Sequence, residues 1–284
     1  MEKYKIFIPG GKGMLGCAIN ELFLKNKLEF KIAALPEFDV RDEIKVREEI
    51  IKYKPTHILN LSAYTKVDKA EEEIKEAFLV NEKGVENLCN IASKLKIKLI
   101  HISTDYVFNG KKEGEWTEED EPYPINTYGL SKLKGEEAVR KLDDFLIIRT
   151  SWLFGKGGQN FVKTIAMKLK KREDLKVVMD QRGCPTYTKV LSAAILFLIK
   201  NNAKGIYHIC QKPPTTWYDF ALKIKEILKV EDVNIFPVSS DEYKTPATRP
   251  KNSVLSIEKF LKDYDYKIPS WEESLRDYLE KDYE

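Results

Sequence analysis

The sequence predicts an α/β protein in which a doubly wound parallel sheet is followed by a smaller C-terminal α/β lobe. In the first half, short apolar segments alternate with segments of helical periodicity. This order produces right-handed βαβ units and a parallel sheet covered on both faces. A glycine-rich turn follows directly on the first apolar segment and opens the first helix. The length of 284 residues suits one large domain with a second, smaller one.

The alternation of strands and helices is regular up to residue 150. The strands predicted from short apolar runs cover residues 5–9, 30–35, 57–61, 98–103 and 145–150. The helices predicted from 3.6-residue periodicity cover residues 13–27, 44–54, 72–96 and 127–142. Pro55 ends the second helix, because proline cannot donate the backbone hydrogen bond that a helix interior needs. We therefore assign residues 1–150 to the sheet domain.

The elements after residue 150 are shorter and mixed. The predicted helices cover residues 160–171, 190–200 and 216–228, with two short C-terminal helices around 257–261 and 271–279. The predicted strands cover residues 176–179, 205–210 and 233–238. The helix at 190–200 is apolar enough to be buried, so we expect residues 187–204 to return to the first domain. Residues 151–284 then form mainly the second lobe.

The composition excludes several classes of protein. The 48 basic and 45 acidic residues leave a net charge of only +3, which argues against nucleic acid as a partner. The apolar runs are too short for a signal-peptide core or a membrane span, so we expect a cytoplasmic protein without a membrane partner. The four cysteines are scattered and form no CxxC pair, as expected of a reduced intracellular protein. They are Cys17, Cys89, Cys184 and Cys210.

The glycine-rich turn predicts a dinucleotide-binding loop of the Rossmann type. Its residues are Gly10, Gly11, Lys12, Gly13, Met14, Leu15 and Gly16. Gly13 and Gly16 complete a GxGxxG motif when counted from Gly11, and the wider GxxGxxG spacing when counted from Gly10. Such glycines permit a tight turn, the approach of backbone to a pyrophosphate, and close packing of helix on strand. The free N–H groups of the helix N-terminus then face the anion.

The residues after the second strand leave the choice between NAD and NADP open. The acidic residue that would hold the ribose of NAD is replaced by Leu35-Pro36. Lys12 is placed to meet the 2′-phosphate of NADP, or is a solvated loop lysine. Asp39, followed by Val40, is placed to accept from the adenine amino group, or is the N-cap of the following helix.

A catalytic group is predicted from the YxxxK pattern of Tyr128 and Lys132, which share one face of a helix. A tyrosine with its ordinary pKa of about 10 is a poor proton shuttle at neutral pH. A nearby ammonium lowers that pKa, so that the phenol can act as a general acid. Ser103 and Thr104 end a buried strand, where open parallel sheets bind their ligands, and either hydroxyl can stabilise a developing oxyanion.

With these motifs in order, the chain resembles the extended short-chain dehydrogenase/reductase superfamily. More narrowly it is similar to the dTDP-4-dehydrorhamnose reductase family. The stretches that carry the resemblance are the loop at 10–16, NLSAYTKVDKAE at 60–71, STDYVFNG at 103–110, RTSWLFG at 149–155 and TRPKNS at 248–253. The STDYVF and RPxNS stretches are far more specific than YxxxK.

The resemblance implies an NAD(P)-dependent oxidoreductase that uses NADPH or NADH to reduce the C4 keto group of dTDP-4-dehydro-L-rhamnose to dTDP-L-rhamnose. It implies Tyr128 as proton donor, Lys132 as its partner and a ribose ligand, and Thr104 in place of the superfamily's serine. The cofactor would also contact Asp39, Val40, Leu61, Ser62, Ala63 and Tyr64. The nucleotide sugar would contact Thr65, Val67, Thr104, Asp105, Tyr128, Trp152 and Arg249.

Two substrate-binding expectations have structural alternatives. The indole of Trp152 suits a sugar ring or base, or is a core residue. Arg249 suits a diphosphate, which a guanidinium binds bidentately, or forms a surface ion pair.

The resemblance leaves other points open. Leu15 and Val190 stand where some family members carry acidic Mg²⁺ ligands, so we expect no metal here. His57, His101 and His208 lie in apolar strands, which favours a structural role for each. The protein is expected to be a monomer or a homodimer. The alternative functions are reduction of another 4-keto nucleotide sugar and a non-catalytic role like that of the regulatory subunit of methionine adenosyltransferase.

Overall fold

A computed structural model describes residues 4–283 of the chain. The predicted domain ranges begin at residue 1 and end at residue 284, so their outermost residues, Met1–Lys3 and Glu284, lie outside the described residues. The strands are β1 Lys5–Pro9, β2 Glu29–Ala33, β3 His57–Asn60, β4 Lys98–Thr104, β5 Phe145–Thr150, β6 Leu153–Phe154, β7 Leu175–Val178, β8 Arg182–Gly183, β9 Thr186–Tyr187, β10 Gly205–His208, β11 Thr215–Thr216 and β12 Ile235–Val238. The helices are α1 Met14–Lys25, α2 Glu43–Tyr53, α3 Val67–Ala70, α4 Ile74–Phe78, α5 Gly84–Leu95, α6 Thr127–Val139, α7 Phe161–Lys170, α8 Thr188–Lys200, α9 Trp217–Ile227, α10 Glu258–Tyr264 and α11 Trp271–Lys281.

The centre of the protein is a six-stranded sheet in the order β10-β5-β4-β3-β1-β2. Every pair of neighbouring strands in it is parallel. Since β2 lies on one side of β1 and β3 on the other, the strand order reverses between β1 and β3, and ligands bind at such a switch point. The predicted doubly wound parallel sheet is confirmed.

Both faces of this sheet are buried, because strand residues alternate between two apolar clusters. Ile6 and Ile8 point to a cluster that contains residues of α1 and α8. Phe7, between them, points to the other cluster, which contains residues of α2, α5 and α6. This alternation explains why the central strands appear in the sequence as continuous apolar runs.

The second lobe has its own apolar core, built by α7, α9, α11 and the short strands β7, β9 and β12. The chain also returns to the first domain, because α8 packs on α1 and β10 pairs with β5. The returning segment therefore continues beyond the predicted range 187–204 to include β10. No helix within residues 4–283 is long and apolar enough to cross a membrane.

The helix predicted at 72–96 differs from the observed structure. The helical run is α4, one π-helical turn at Leu79–Lys83, and α5. Asn81, inside that turn, accepts from the Tyr64 backbone N–H at 2.9 Å and donates to the Ser131 hydroxyl at 2.9 Å. The wider turn places this amide between the loop after β3 and α6, and π turns of this kind occur often at functional sites.

A buried ion pair joins α6 to the sheet. Arg149 and Glu136 are both 0% exposed, and two of their N–H···O distances are 2.7 and 2.9 Å. Burial by itself raises the pKa of Glu136, but the adjacent Arg149 guanidinium outweighs that effect and holds the pKa below its usual value.

We predict that Arg149→Met lowers the free energy of unfolding by about 3–5 kcal/mol, because it leaves the buried Glu136 carboxylate with only the partly exposed Arg140, at 3.3 Å, as a charged partner among residues 4–283. Replacing both residues, as in Arg149→Met with Glu136→Leu, recovers most of that loss. Urea denaturation measures both effects. Lys134→Met, which breaks an exposed pair on the same helix, is the matched control and changes stability little. Equal losses in Arg149→Met and Lys134→Met would contradict the assignment.

Candidate active site

A cavity of about 1010 Å³ lies at the carboxyl ends of β1, β3, β4 and β5. Most of the predicted site residues line it. Those expected to contact a cofactor are Gly10, Lys12, Gly13, Met14, Leu15, Gly16, Asp39, Val40, Leu61, Ser62, Ala63, Tyr64, Tyr128 and Lys132. Those expected to contact a substrate are Thr65, Thr104, Asp105, Tyr128 and Trp152. Gly11, Val67 and Arg249 lie outside this lining.

The glycine loop forms the first wall of the cavity, and different steric constraints act at Gly10, Gly11 and Gly16. Gly10 has a φ of +74°, and a Cβ there would lie 2.4 Å from the backbone N of Ser62. A Cβ on Gly16 would lie 2.1 Å from the carbonyl oxygen of Gly11. The tight turn therefore belongs to Gly10, so the GxxGxxG spacing describes this loop. Gly11 packs instead against Ile32 of β2, which a Cβ would approach to 2.9 Å.

The loop also fits the pyrophosphate of a dinucleotide. Gly13 is the N-cap of α1, and no side chain within residues 4–283 accepts from the first turn of that helix. A Cβ on Gly13 would meet only the Gly10 carbonyl oxygen, at 3.6 Å, among the described atoms within 4 Å, so it would project into the cavity. A helix N-terminus with free N–H groups and glycine at its entry is an anion site.

Two cations lie near the end of β2. Lys12 contacts the Leu35 carbonyl oxygen at 3.4 Å and the Glu37 carboxylate at 3.1 Å, and both charged side chains are exposed. Arg41, which the sequence analysis missed, lines the cavity and binds the Asp39 carboxylate at 2.6 Å. The hydrogen bond from Arg41 lowers the pKa of Asp39.

The alternative that Asp39 caps the next helix is wrong. Asp42 is the N-cap of α2, and its carboxylate accepts from the Lys45 backbone N–H at 2.9 Å. The Asp39 carboxylate instead accepts from the Arg41 side chain and backbone, so it holds the loop that borders the cavity.

Tyr128 is held at the start of α6 by close backbone packing. Asn126 caps this helix, with its side-chain oxygen 2.7 Å from the Gly129 backbone N. A Cβ on Gly129 would lie 2.1 Å from the Tyr106 carbonyl oxygen, so only glycine fits after Tyr128. The ring of Tyr106 then packs edge-on against that of Tyr128, with centroids 5.9 Å apart.

The pKa of Tyr128 differs from the sequence-based expectation. Burial raises it to about 12, while a hydrogen bond with Thr104 acts in the opposite direction. Burial also lowers the pKa of Lys132 to about 8, against the opposing effect of Glu136. The lowering of the Tyr128 pKa that was expected from the Lys132 ammonium is not observed, because desolvation dominates. As a result, Tyr128 keeps its proton at neutral pH, as a proton donor requires.

Asp105 places a second titratable group beside Thr104. It is 2% exposed, and the Thr104 hydroxyl lies 3.0 Å from its Oδ1. Its Oδ2 has no hydrogen-bond partner among residues 4–283. Burial raises the pKa of Asp105 to about 7, although hydrogen bonds with Ser253 and Thr104 oppose the shift. Asp105 lines the cavity, although this unpartnered oxygen is itself buried.

Trp152 lines the cavity, which favours the ligand-binding interpretation over a core position. Its indole is stacked on that of Trp217, with ring centroids 3.4 Å apart and planes 6° apart. A Cβ on Gly183 would lie 2.4 Å from the same ring. The φ of Trp152 is +46°, a conformation that non-glycine residues seldom adopt, and these contacts hold it there.

Arg249 forms an ion pair and does not line the cavity. Its guanidinium binds both oxygens of Asp68, at 2.8 and 2.9 Å, and donates to the Thr245 hydroxyl at 2.6 Å. The loop that carries the RPxNS stretch is thereby attached to α3. The ion-pair alternative describes this structure, although Arg249 is partly buried and not at an open surface.

Several cavity residues were missed, among them Ser151, Gln159 and a second glycine pair, Gly157 and Gly158. Gly157 has a φ of +87°, and a Cβ there would lie 2.3 Å from the sulfur of Cys17 in α1. The GKGG cluster at 155–158 was the available sequence signal.

The expectation of no metal ion remains a prediction. Leu15 is buried in α1, and Val190 is partly buried in α8. Among residues 4–283, no group of three or more His, Cys, Asp or Glu side chains is placed to hold a metal.

Comparison with known proteins places the chain in a family. The family model described as RmlD substrate binding domain matches residues 4–284. The dTDP-4-dehydrorhamnose reductase of Sinorhizobium fredii is 36% identical over 283 residues, which cover 96% of this chain and 95% of that protein. The dTDP-4-keto-6-deoxy-D-glucose reductase of Streptomyces niveus is 35% identical over 252 residues, with 87% of each chain covered.

A solved structure agrees with this relationship. The dTDP-4-dehydrorhamnose reductase of Bacillus anthracis, crystallised in complex with NADP, superposes with a TM-score of 0.95 at 36% identity. The match covers 98% of this chain and 99% of that one. Sequence, fold and cavity therefore agree that the chain belongs to the dTDP-4-dehydrorhamnose reductase family.

Proposed function

We propose that this protein reduces the C4 keto group of dTDP-4-dehydro-L-rhamnose to dTDP-L-rhamnose with NADPH or NADH. The family relationship makes the chain an NAD(P)-dependent oxidoreductase. The observation that carries the proposal is the meeting of Tyr128, Lys132 and Thr104 with the glycine loop in one cavity.

The proposed chemistry divides a hydride and a proton between cofactor and protein. The glycine loop and the N-terminus of α1 would hold a nicotinamide dinucleotide, which would supply the hydride to the carbonyl carbon. Tyr128 donates its phenolic proton to the carbonyl oxygen as negative charge develops there. The Thr104 hydroxyl can donate to the same oxygen once its hydrogen turns away from the Asp105 Oδ1, which accepts it in this structure. The Lys132 ammonium stabilises the phenolate that Tyr128 leaves behind.

The remaining cavity residues suit a nucleotide sugar. Trp152 offers an aromatic face to a sugar ring or base, and Thr65 and Asp105 offer hydrogen-bonding groups. Because Arg249 is engaged by Asp68, binding a diphosphate through Arg249 would require it to leave that carboxylate. We therefore assign Arg249 no direct contact with the substrate. It supports the substrate site only by attaching the loop of the RPxNS stretch to α3.

Replacement of Tyr128 by phenylalanine tests the proton donor. We expect Tyr128→Phe to lower kcat by about 10²–10⁴-fold, because it removes only the hydroxyl that supplies the proton. The assay follows oxidation of NADPH or NADH at the reduced nicotinamide absorbance band with dTDP-4-dehydro-L-rhamnose as substrate. Tyr123→Phe, at an exposed tyrosine before the same helix, is the control and should retain full turnover. A Tyr128→Phe enzyme with normal kcat would remove Tyr128 from the mechanism.

A specific relative supports a second candidate substrate. The Streptomyces niveus protein is named as a reductase of dTDP-4-keto-6-deoxy-D-glucose, a different 4-keto sugar. Turnover of that sugar, with none of the rhamnose precursor, would favour this alternative. Failure with every keto sugar, together with binding to a methionine adenosyltransferase, would instead favour the regulatory-subunit hypothesis.

Lys12 gives a prediction for cofactor choice. We expect Lys12→Ala to lower kcat/KM for NADPH about tenfold while leaving kcat/KM for NADH nearly unchanged, because only NADPH carries a phosphate on the adenosine ribose. Steady-state kinetics with each cofactor measure the ratio. Lys25→Ala, at the far end of α1, is the control. An unchanged ratio in Lys12→Ala would identify Lys12 as a solvated loop lysine.

The pKa values give a prediction for pH dependence. The pKa of Lys132 is lowered to about 8, so its ammonium is present below that pH and is lost above it. We expect kcat/KM for reduction to fall above about pH 8, while Tyr128, with a pKa of about 12, stays protonated. A change near pH 7 would belong to Asp105 and should disappear in Asp105→Asn. A profile that stays flat to pH 10 would contradict the role of Lys132.

Three further assignments belong to this proposal. We place the protein in the cytoplasm, as a monomer or homodimer, without nucleic acid or membrane partners. The cofactor-binding part comprises residues 1–150, with 187–204 and strand β10, and the substrate-binding part comprises mainly the rest of 151–284. The structure supports this division with separate apolar cores for the sheet and for the second lobe.

A further inference from the structure

His101 lies in the middle of the sheet, directly behind the proposed catalytic group. It is 0% exposed, and it is the register partner of Asn60 across the β3–β4 pair. Its Nδ1 lies 3.0 Å from the Asn60 Nδ2, and its Nε2 lies 3.4 Å from the Lys132 Nζ. The imidazole therefore connects a buried amide on one strand to the lysine of the YxxxK pattern.

The orientation of the Asn60 amide is determined by a backbone group. The backbone N–H of Ser62 donates to the Asn60 Oδ1 at 3.0 Å, and the Ser62 hydroxyl donates to the same oxygen. A backbone N–H is only a donor, so the atom that faces it must be the amide oxygen. The Asn60 Nδ2 then points toward His101 as a donor.

The orientation of Asn60 determines the tautomer of His101. Its Nδ1 must accept from the Asn60 Nδ2, so in the neutral ring the hydrogen lies on Nε2. In the opposite tautomer, the Nδ1–H of His101 would face the N–H of the Asn60 amide, which places two donors 3.0 Å apart in a buried site. A charged ring is disfavoured because burial and the nearby Lys132 both keep the pKa of His101 well below its ordinary value.

The other end of the chain of hydrogen bonds is the backbone carbonyl of Ile102. Lys132 donates to the carbonyl oxygen of Ile102 at 2.7 Å. The Nε2–H of His101 points at the same Nζ, and an ammonium has no lone pair to accept it. An uncharged amine can donate to Ile102 and accept from His101 at once.

We propose that His101, oriented by Asn60, is a positioning residue that holds Lys132 and disfavours its charged form. The donation runs from Ser62 to Asn60, then to His101, to Lys132 and to Ile102, and the backbone N–H of Ser62 determines its direction. The inference rests on the proposed role of Lys132 in the reaction.

The other groups that face Lys132 act in different directions. On α6, Glu136 favours the ammonium, although the buried Arg149 already neutralises much of that carboxylate. Tyr128, one turn earlier, is uncharged at neutral pH because burial raises its pKa to about 12. From β4, His101 presents a donor. The imidazole is therefore the neighbour that opposes the charge.

The tautomer is the first test, and it needs no substrate. Long-range ¹H–¹⁵N correlation spectra distinguish the two neutral tautomers and the charged ring of histidine. The chain has three histidines, so His57→Gln and His208→Gln assign the signals of His101. We expect the Nε2–H tautomer from pH 6 to pH 9. An Nδ1–H tautomer or a charged ring at pH 7 would overturn the proposal.

The second test reverses the direction of the hydrogen bonds between Asn60, His101 and Lys132. In Asn60→Asp the carboxylate accepts from both Ser62 and the imidazole, so the hydrogen moves to Nδ1 and Nε2 accepts from Lys132. We expect the fall of kcat/KM at alkaline pH to move up by one pH unit or more, a tenfold change in proton concentration. A lysine ¹³Cε titration, assigned with Lys132→Arg, measures the same shift without turnover.

The added charge needs its own control. Asn60→Asp combined with His101→Leu keeps the new carboxylate but removes the imidazole. We expect most of the shift to disappear in this double variant, and an equal shift in both would mean that charge alone acts. His57→Gln, a histidine at the other end of β3, should leave the pH profile unchanged. If the tautomer test fails, the proposal for His101 is wrong but Tyr128 remains the proposed proton donor. If instead the turnover assay fails, the proposed function is wrong but the tautomer result still stands.

Discussion

The close approach of two backbone segments is the constraint on which the rest of the site depends. The turn after β1 lies against the loop after β3, so closely that a Cβ on Gly10 would lie 2.4 Å from the backbone N of Ser62. The backbone hydrogen bond from Leu61 to Pro9, at 2.9 Å, maintains the same approach. The loop after β1 forms the wall that suits a dinucleotide. The loop after β3 forms the adjoining wall and, through Ser62 and Asn60, leads to Lys132.

Burial then determines the electrostatics of the site. Tyr128, Lys132 and Asp105 each have a pKa displaced toward the uncharged form, and in each case desolvation is the largest cause. Tyr128 therefore keeps its proton at neutral pH, while the charge of Lys132 is lost as the pH rises above about 8. The charged pair Arg149–Glu136 lies behind α6, where its two charges compensate one another. The helix that carries the proposed proton donor is thus fixed by ionic contacts that remain outside the cavity.

Local patterns were sufficient to predict most of the architecture. Strand and helix alternation predicted the parallel sheet, and the first glycine turn predicted its ligand-binding edge. The boundaries failed where a tertiary contact determined them. The helix predicted at 72–96 contains a π turn because Asn81 bonds to Tyr64 and Ser131, which are distant in sequence. Strand β10 joins the main sheet through β5, a pairing that no local pattern specifies.

For the site, the sequence by itself determined which chemical groups are available and in which order they occur. Glycines at fixed spacing, a tyrosine four residues before a lysine, and hydroxyls at a strand end are local features, and they are sufficient to indicate a cofactor loop and a proton donor. Only the tertiary structure decided the state of these groups. The capture of Arg249 by Asp68, the raised pKa of Tyr128 and the orientation of His101 each depend on neighbours from other parts of the chain. Desolvation and hydrogen-bond direction are properties of a packed interior, so they arise only once the chain has folded.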